Sequence, residues 1–196
     1  MGVPVLRPLV LVSLLCLLPS VAAAESTDPD SAGENTEKLH PRAGSFSVAA
    51  LFGANYGDEV GLRGNRLMFG YGGRAGYSFE TTPVYLGVTV VAYEDEIEYD
   101  YTSETGTEHY VNVDIDVGAE VDAGPLILRP HLGLGVMIGV YDSPEGGNSA
   151  IVPRLSPGLL TRYPMGPVDV GVDARLELNA NSPTTVSALG SVGVAF

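Results

Sequence analysis

The sequence predicts an all-β fold, an eight-stranded antiparallel up-and-down transmembrane β-barrel. Three observations predict it. Apolar residues recur with period two along eight segments, and no segment shows a convincing helical repeat. The links between these segments alternate between short and long. One face of the strands is continuously apolar while the other is polar, glycine-rich and charged, which suits a closed sheet in lipid with a polar interior.

The N-terminus has the pattern of a secretory signal peptide. Arg7 precedes the apolar run "LVLVSLLCLLPSV", and three alanines precede the expected cleavage after Ala24. The only cysteine, Cys16, lies inside this run, so the mature chain carries none and forms no disulfide. A polar stretch with Pro and Gly follows. The chain therefore divides into a signal peptide at 1–24, a disordered leader at 25–43 and the predicted transmembrane β-barrel domain at 44–196.

Eight segments are long enough to cross a bilayer as tilted strands, which takes about 9–11 residues. Beyond the signal peptide no run reaches the roughly 18 apolar residues of a transmembrane helix. The predicted strands are 45–56, 67–79, 84–93, 110–124, 126–141, 151–163, 168–179 and 184–196.

The connections favour an up-and-down barrel. The links after the second, fourth and sixth strands are the tight "ETTP", "GP" and "PMGP". The links after the first, third and fifth strands are the longer, polar "GDEVGLRGNR", "EDEIEYDYTSETGTEH" and "DSPEGGNSA". This alternation places short turns and both termini at one end and long loops at the other. A Greek-key sandwich would not produce it.

The stretch "YVNVDIDVGAEVDAG" at 110–124 shows how the faces divide. Its valines and isoleucine alternate with Asn112, Asp114, Asp116 and Glu120, so the strand has an acidic side and an apolar side. An eight-stranded barrel has an interior that side chains fill. Charges of both signs neutralise one another in such a space. We therefore expect the carboxylates to point inward and the valines toward lipid.

Aromatic residues on the apolar face support this orientation. The set Phe46, Tyr77, Phe79, Tyr163 and Phe196 falls near the short-turn end of the strands. Amphipathic rings prefer the membrane–water interface, so this set predicts an interfacial girdle.

With a signal peptide, eight alternating strands and the ending "VSALGSVGVAF", the chain resembles the small bacterial outer-membrane β-barrel proteins of the OmpA/OmpX type. The resemblance implies a location in the outer membrane of a Gram-negative bacterium. It also implies that Val192, Val194 and the final Phe196 are an assembly signal for the barrel-assembly machinery. It implies fold and location far more than activity.

Inward-facing charges predict an ion-pair lattice in the lumen. Its positive members are all arginines, which suits buried carboxylate pairing because the guanidinium fork binds bidentately and stays charged. The predicted lattice residues are Arg74, Asp114, Asp116, Glu120, Arg129, Arg154, Arg162, Asp169, Asp173, Arg175 and Glu177.

Hairpin arithmetic predicts which lattice residues face one another. Across the "PMGP" turn the expected pairs are Arg162–Asp169, Arg154–Glu177, Ser156–Arg175 and Gly158–Asp173. Across the "GP" turn they are Glu120–Arg129 and Gly118–His131. Arg74 has no acidic partner in its own hairpin, so we expect it to reach across the lumen.

Three functions are consistent with such a chain. The first is a structural or surface-interaction role through acidic extracellular loops, with a lumen that is filled by side chains. The alternative is a narrow channel for small or hydrophobic solutes, in which the lattice would form a gated pore or proton path. The third, a lipid A-modifying enzyme, has little support because no nucleophile motif surrounds His109 or His131. We therefore expect no enzyme activity, no catalytic residue, no cofactor and no metal site.

The net charge of -14 argues against nucleic acid as a partner. Expected partners are outer-membrane lipid and lipopolysaccharide, the barrel-assembly machinery, and an extracellular protein that binds the loop at 94–109. This loop carries seven carboxylates and no Lys or Arg. Cation bridging to lipopolysaccharide is conceivable, but the regular ligand order of a calcium loop is missing. We expect a solvated hairpin that extends the third and fourth strands.

Three prolines lie on the outward face within the predicted fifth and sixth strands. Pro130, Pro153 and Pro157 each remove a donor from the sheet ladder. They predict bulges or a locally weak seam.

Overall fold

The computed structural model describes residues 44–58, 65–98, 105–143, 146–180 and 184–196. The predicted signal peptide and leader lie outside the described residues. None of the described residues belongs to a helix long and apolar enough to cross a membrane. The strands are β1 (Ser45–Asp58), β2 (Asn65–Ser78), β3 (Val84–Glu98), β4 (Thr105–Ala119), β5 (Val121–Ala123), β6 (Leu126–Ser143), β7 (Gly146–Met165), β8 (Val168–Asn179) and β9 (Thr185–Ala195).

These strands form a closed antiparallel barrel. Strands that follow one another in the chain pair, except that β4 and β5 both pair with β6, and β9 pairs with β1 to close the sheet. The short β5 continues β4 beyond Glu120 along the same neighbour, β6. β4 and β5 together therefore form one strand of the barrel, so the nine segments make an eight-stranded barrel. This confirms the predicted fold class.

Two of the tight turns each have two residues and begin with a glycine at positive φ. Gly124 has φ 67° and lies between the paired Ala123 and Leu126. Gly166 has φ 69° and follows Met165, which pairs with Val168. Glycine adopts this backbone conformation without a Cβ clash, which is why two-residue hairpin turns favour it.

The two faces of the sheet are as predicted. Outward side chains such as Phe69 and Tyr71 are 71% and 67% exposed, whereas the inward Ser156 and Asp173 are 0% exposed. Exposed and buried side chains alternate along the long strands, whereas all three residues of β5 are exposed, so the barrel presents an apolar outer wall and a mainly polar interior.

The aromatic residues at the short-turn end contact one another. The ring centroids of Phe46 and Tyr77 are 4.8 Å apart, and those of Tyr77 and Phe79 are 5.1 Å apart. Phe196 stacks on Phe46 with centroids 6.5 Å apart. Four of the five predicted girdle residues therefore form a contiguous cluster on the outer wall where β1, β2 and β9 begin or end, while the fifth, Tyr163, lies on β7.

The long-loop end differs from the prediction in strand length. β3 continues to Glu98 and β4 begins at Thr105, and these two residues pair. β6 and β7 likewise remain paired as far as Ser143 and Gly146. The predicted extension of the acidic hairpin is thus present as strand, while residues 99–104 lie outside the described part of the chain.

The three prolines lie at breaks or ends of ladders. The pairing of β7 with β8 is interrupted at Ser156 and Pro157, and it ends beyond Arg154, next to Pro153. The barrel strand that β4 and β5 form is interrupted at Glu120, near Pro130. The Glu120 N–H donates instead to the Pro83 carbonyl at 2.6 Å. Because proline lacks an N–H, it leaves such gaps in a ladder.

Candidate functional site

The lumen at the short-turn end holds a cluster around Glu120, which we call the rim tier. Arg129 donates from Nε to Glu120 Oε1 at 2.9 Å, and Arg162 pairs with the same carboxylate. Arg162 also lies 3.5 Å from Asp169 Oδ2. The Arg129 guanidinium stacks 3.3 Å from the ring centroid of Tyr85, a cation–π arrangement. Glu120 thus bridges two arginines from neighbouring strands.

Asp173 is the centre of the next cluster, the central tier. It accepts from Arg74 on β2 and from Arg175 Nη2 at 2.9 Å. Its Oδ1 lies 2.9 Å from His131 Nε2. Two arginines and a histidine therefore converge on one fully buried carboxylate.

Arg175 joins this cluster to two further carboxylates. Its Nη1 lies 3.1 Å from Asp116 Oδ1 and 3.4 Å from Asp114 Oδ2. The Thr89 hydroxyl donates to Asp116. A planar guanidinium can hold several carboxylates at once because its five donors point in fixed directions.

Arg154 and Glu177 form the tier nearer the long loops, the upper tier. Arg154 Nε lies 3.1 Å from Asp114 Oδ1, and its Nη2 lies 3.2 Å from Glu177 Oε1. Glu177 Oε2 accepts from Asn55 Nδ2 at 2.7 Å and from Thr185 Oγ1 at 3.2 Å. Asp114 therefore links the upper tier to the central one.

All eleven predicted lattice residues are buried, with exposures from 0% to 6%. They comprise five arginines and six carboxylates, and each lies within salt-bridge distance of at least one group of opposite charge. Buried charges cost too much to remain unpaired. The mutual attraction roughly offsets desolvation, so the lattice adds little net stability although losing one partner is costly.

The register predicted across the sixth link is wrong by two residues. The structure places Asp169 opposite Pro164, Arg175 opposite Gly158 and Asp173 opposite Leu160. The cause is the two-residue turn at Gly166, which lets β7 run on to Met165. Because the offset is even, every side chain keeps its face, and Arg162 and Asp169 still approach diagonally.

The other expected contacts have the following geometry. Gly118 lies opposite His131, and Glu120 contacts Arg129 across the "GP" hairpin. Arg74 reaches out of its own hairpin to Asp173 on β8.

Sequence reasoning missed an apolar cluster inside the barrel. Met68 and Met137 pack against it. All its members occupy inward positions of the period-two pattern, which could have revealed them. Most other residues on the inward face are polar, so these apolar residues did not stand out in the sequence. The core of this lumenal apolar cluster is Leu51, Val91, Tyr93, Tyr110 and Leu189.

Two glycines make room for the Tyr85 ring, on which the Arg129 guanidinium stacks. A Cβ on either Gly76 or Gly87 would overlap the hydroxyl end of Tyr85. Glycine at these inward positions lets the tyrosine lie flat against the wall. These two glycines therefore make room for a large side chain in a narrow barrel.

A small cavity remains beside the rim tier. Its lining includes Arg74, Arg129, Arg162 and Ser191, and its volume is about 10 Å³, roughly the space of a single water molecule. Within the described residues no group of three or more His, Cys, Asp or Glu is placed to hold a metal ion.

No protein-family model matches the chain, and no curated protein sequence matches it. Solved structures do match. Neisserial surface protein A superposes with a TM-score of 0.64 at 15% identity, covering 78% of this chain and 99% of that one. The chain has the fold of the small outer-membrane β-barrels.

Two further structures show the same fold. Ail, the attachment invasion locus protein of Yersinia pestis, matches with a TM-score of 0.56 at 16% identity, over 79% of this chain and 99% of its own. A major outer membrane protein from Thermus thermophilus matches with a TM-score of 0.55 at 16% identity, over 79% of this chain and 100% of its own. At such identities the likeness concerns the fold alone.

Proposed function

We propose that this chain is an outer-membrane protein of a Gram-negative bacterium, with a lumen closed by side chains and a structural or surface-interaction role. The observation that carries the proposal is the filled lumen. Three tiers of ion pairs and the lumenal apolar cluster occupy the interior of an eight-stranded barrel, whose width leaves space for side chains only.

A narrow channel is the weaker candidate on the same observation. A passing ion would have to part buried, mutually paired charges and then cross the apolar cluster around Tyr93 and Tyr110. Each step exposes an unpaired charge to a water-poor interior, which is costly.

Planar-bilayer recording tests the closed lumen. The refolded protein, shown to be inserted by co-flotation with vesicles, should give no steady current above that of a protein-free membrane. A variant with Arg74→Ala and Asp173→Ala removes a matched pair from the central tier and is the control for a widened lumen. A steady ion-selective current through the unaltered protein would overturn the proposal.

Location and assembly follow from the two ends of the chain. We propose export through the signal peptide at 1–24 and recognition of Val192, Val194 and Phe196 by the barrel-assembly machinery. The three side chains are exposed on the outer wall, available to a partner or to outer-membrane lipid and lipopolysaccharide. Membrane fractionation with heat-modifiable gel mobility tests this, and a soluble periplasmic product would contradict it.

The interaction role is assigned to the acidic hairpin of β3 and β4. It extends as paired strand to Glu98 and Thr105. Deleting residues 96–107 should abolish binding of an extracellular protein partner while the barrel stays folded. A catalytic role has little support: His131 is buried between Asp116 and Asp173, and His109 lies 4.0 Å from Glu94.

A further inference from the structure

The arginines and carboxylates of the lattice do not balance one another in charge. In the rim tier two arginines face two carboxylates, and in the upper tier one arginine faces one carboxylate. In the central tier two arginines, Arg74 and Arg175, contact the three carboxylates of Asp114, Asp116 and Asp173. Asp114 also contacts the upper tier, but wherever it is counted the five arginines leave one of the six carboxylates without a matching positive charge.

A negative charge without a match is costly at this depth. Asp116 and Asp173 are 1% and 0% exposed, and the wall around them is apolar on its outer side. A buried carboxylate stays charged only where a cation or several hydrogen-bond donors compensate it. His131 is a further basic side chain in this part of the lumen, and it is 8% exposed. The central tier therefore contains a residue that can supply the missing charge.

Both nitrogens of the His131 ring face carboxylate oxygens. Nε2 lies 2.9 Å from Asp173 Oδ1, which is hydrogen-bond distance, and Nδ1 lies 3.7 Å from Asp116 Oδ1, which is ion-pair distance. A neutral imidazole has an N–H on one nitrogen and a lone pair on the other, whereas an imidazolium has an N–H on both. The neutral ring would therefore place a lone pair beside one of two carboxylates, and the imidazolium places a donor beside each.

The second oxygen of each of these carboxylates already accepts from other donors. Asp173 Oδ2 accepts from Arg74 and from Arg175 Nη2, the latter at 2.9 Å. Asp116 Oδ2 accepts from the Thr89 hydroxyl and from Arg175 Nη2, the latter at 3.2 Å. A proton on either oxygen would displace one of these donors. The ring nitrogens are therefore the better place for an additional proton.

The groups around the ring come from strands on several sides. Arg74 and Arg175 are each bound to carboxylates, and Arg129, on the same strand as the ring, is bound in the rim tier. β3 contributes the hydroxyl of Thr89. On β7 the ring lies against Gly158, where a Cβ would come within 2.7 Å of ring atoms Cε1 and Nε2. Each neighbouring guanidinium thus has carboxylates of its own, and the ring lies between two carboxylates.

We propose that the central tier is a proton-binding site, in which His131 is an imidazolium and supplies the sixth positive charge of the lattice. Its two N–H groups then face Asp173 and Asp116, and six positive charges balance six negative ones. A free histidine has a pKa of about 6.5 and is largely neutral above about pH 7.5. The barrel therefore takes up one proton when it folds in mildly alkaline buffer. This proton lies inside the barrel, so its binding does not depend on the surface-interaction role.

Nitrogen-15 NMR of the histidine ring tests the charge directly. The chain has three histidines, so a protein with His40→Gln and His109→Gln contains His131 alone and keeps the whole lattice. In the folded barrel in nanodiscs at about pH 8, the two ring nitrogens should have closely similar chemical shifts, as in an imidazolium. In urea at the same pH the two shifts should differ, as in a neutral ring. Clearly different shifts in the folded barrel would place the proton on a carboxyl group and overturn the proposal.

The dependence of stability on pH is a second test. The unfolded chain binds one proton fewer than the folded barrel, so stability should fall as the pH rises from about 7.5 to about 9. His131→Lys keeps a positive charge in both states and is the matched control. The equilibrium constant for unfolding in urea should rise about tenfold more per pH unit in the unaltered protein than in His131→Lys. Equal slopes would overturn the proposal, and if His131→Lys does not fold, the ring spectrum of the single-histidine protein decides.

Discussion

Arg74 on β2 forms an ion pair with Asp173 on β8, two strands that β1 and β9 separate in the sheet. The pair therefore crosses the lumen instead of following a hairpin. Asp173 also contacts Arg175 and His131, so three basic side chains converge on this one carboxylate. Such contacts join distant strands, so they couple closure of the barrel to pairing of its charges.

Asp173→Asn should destabilise the folded barrel strongly. It leaves Arg74 and Arg175 buried with less compensating charge, and breaking a buried pair costs about 3–5 kcal/mol. The free energy of unfolding in urea, measured in phospholipid vesicles, reports the loss. Asp122→Asn is the matched control because Asp122 is exposed. Equal changes in unfolding free energy for the two variants would show that the stability of the barrel does not depend on charge pairing in the central tier.

Glu120 should be coupled energetically to Arg162. Glu120→Gln removes the charge that bridges Arg129 and Arg162, and this loss should be smaller when Arg162 has already been replaced by Met. Groups in one network show coupling free energies of about 0.5–3 kcal/mol. A double-mutant cycle on unfolding free energies measures the coupling. Strict additivity would argue against the bridging role.

Gly87→Ala should destabilise the rim tier. The added Cβ would overlap Tyr85, on whose ring the Arg129 guanidinium stacks. Overpacking of this kind typically lowers the free energy of unfolding by about 1–3 kcal/mol. Gly73→Ala is the control, because its Cβ would meet only the Ala49 carbonyl at 3.5 Å. Urea unfolding compares the two variants. A Gly87→Ala protein as stable as Gly73→Ala would mean that Tyr85 relocates freely.

Deleting Phe196 should impair closure of the barrel. Its N–H donates to the Phe46 carbonyl and its carbonyl accepts from the Phe46 N–H, both at 3.0 Å, so deletion removes two bonds between β9 and β1. Phe196→Ala keeps the backbone bonds and removes only the ring. The fraction with heat-modifiable mobility in cells measures assembly. If both variants reduce that fraction, the assembly machinery recognises the Phe196 ring. If only the deletion reduces it, the backbone bonds that close the barrel are what matter.

The strand order, the inward and outward faces and the lumenal position of the charged residues could all be predicted from the sequence. These features depend on period-two alternation and on loop length, which are properties of neighbouring residues. Even the error of two residues in the β7–β8 register left every face unchanged, because two is the period of a strand.

The pairing of individual charges, in contrast, depends on the three-dimensional arrangement of the strands. Arg74 finds Asp173, and Asp114 joins Arg154 to Arg175, through contacts between strands far apart in the chain. These contacts depend on the tilt and closure of the whole sheet, and on the turn at Gly166. The lumenal apolar cluster has the same origin, since its burial depends on which side chains meet inside the closed sheet.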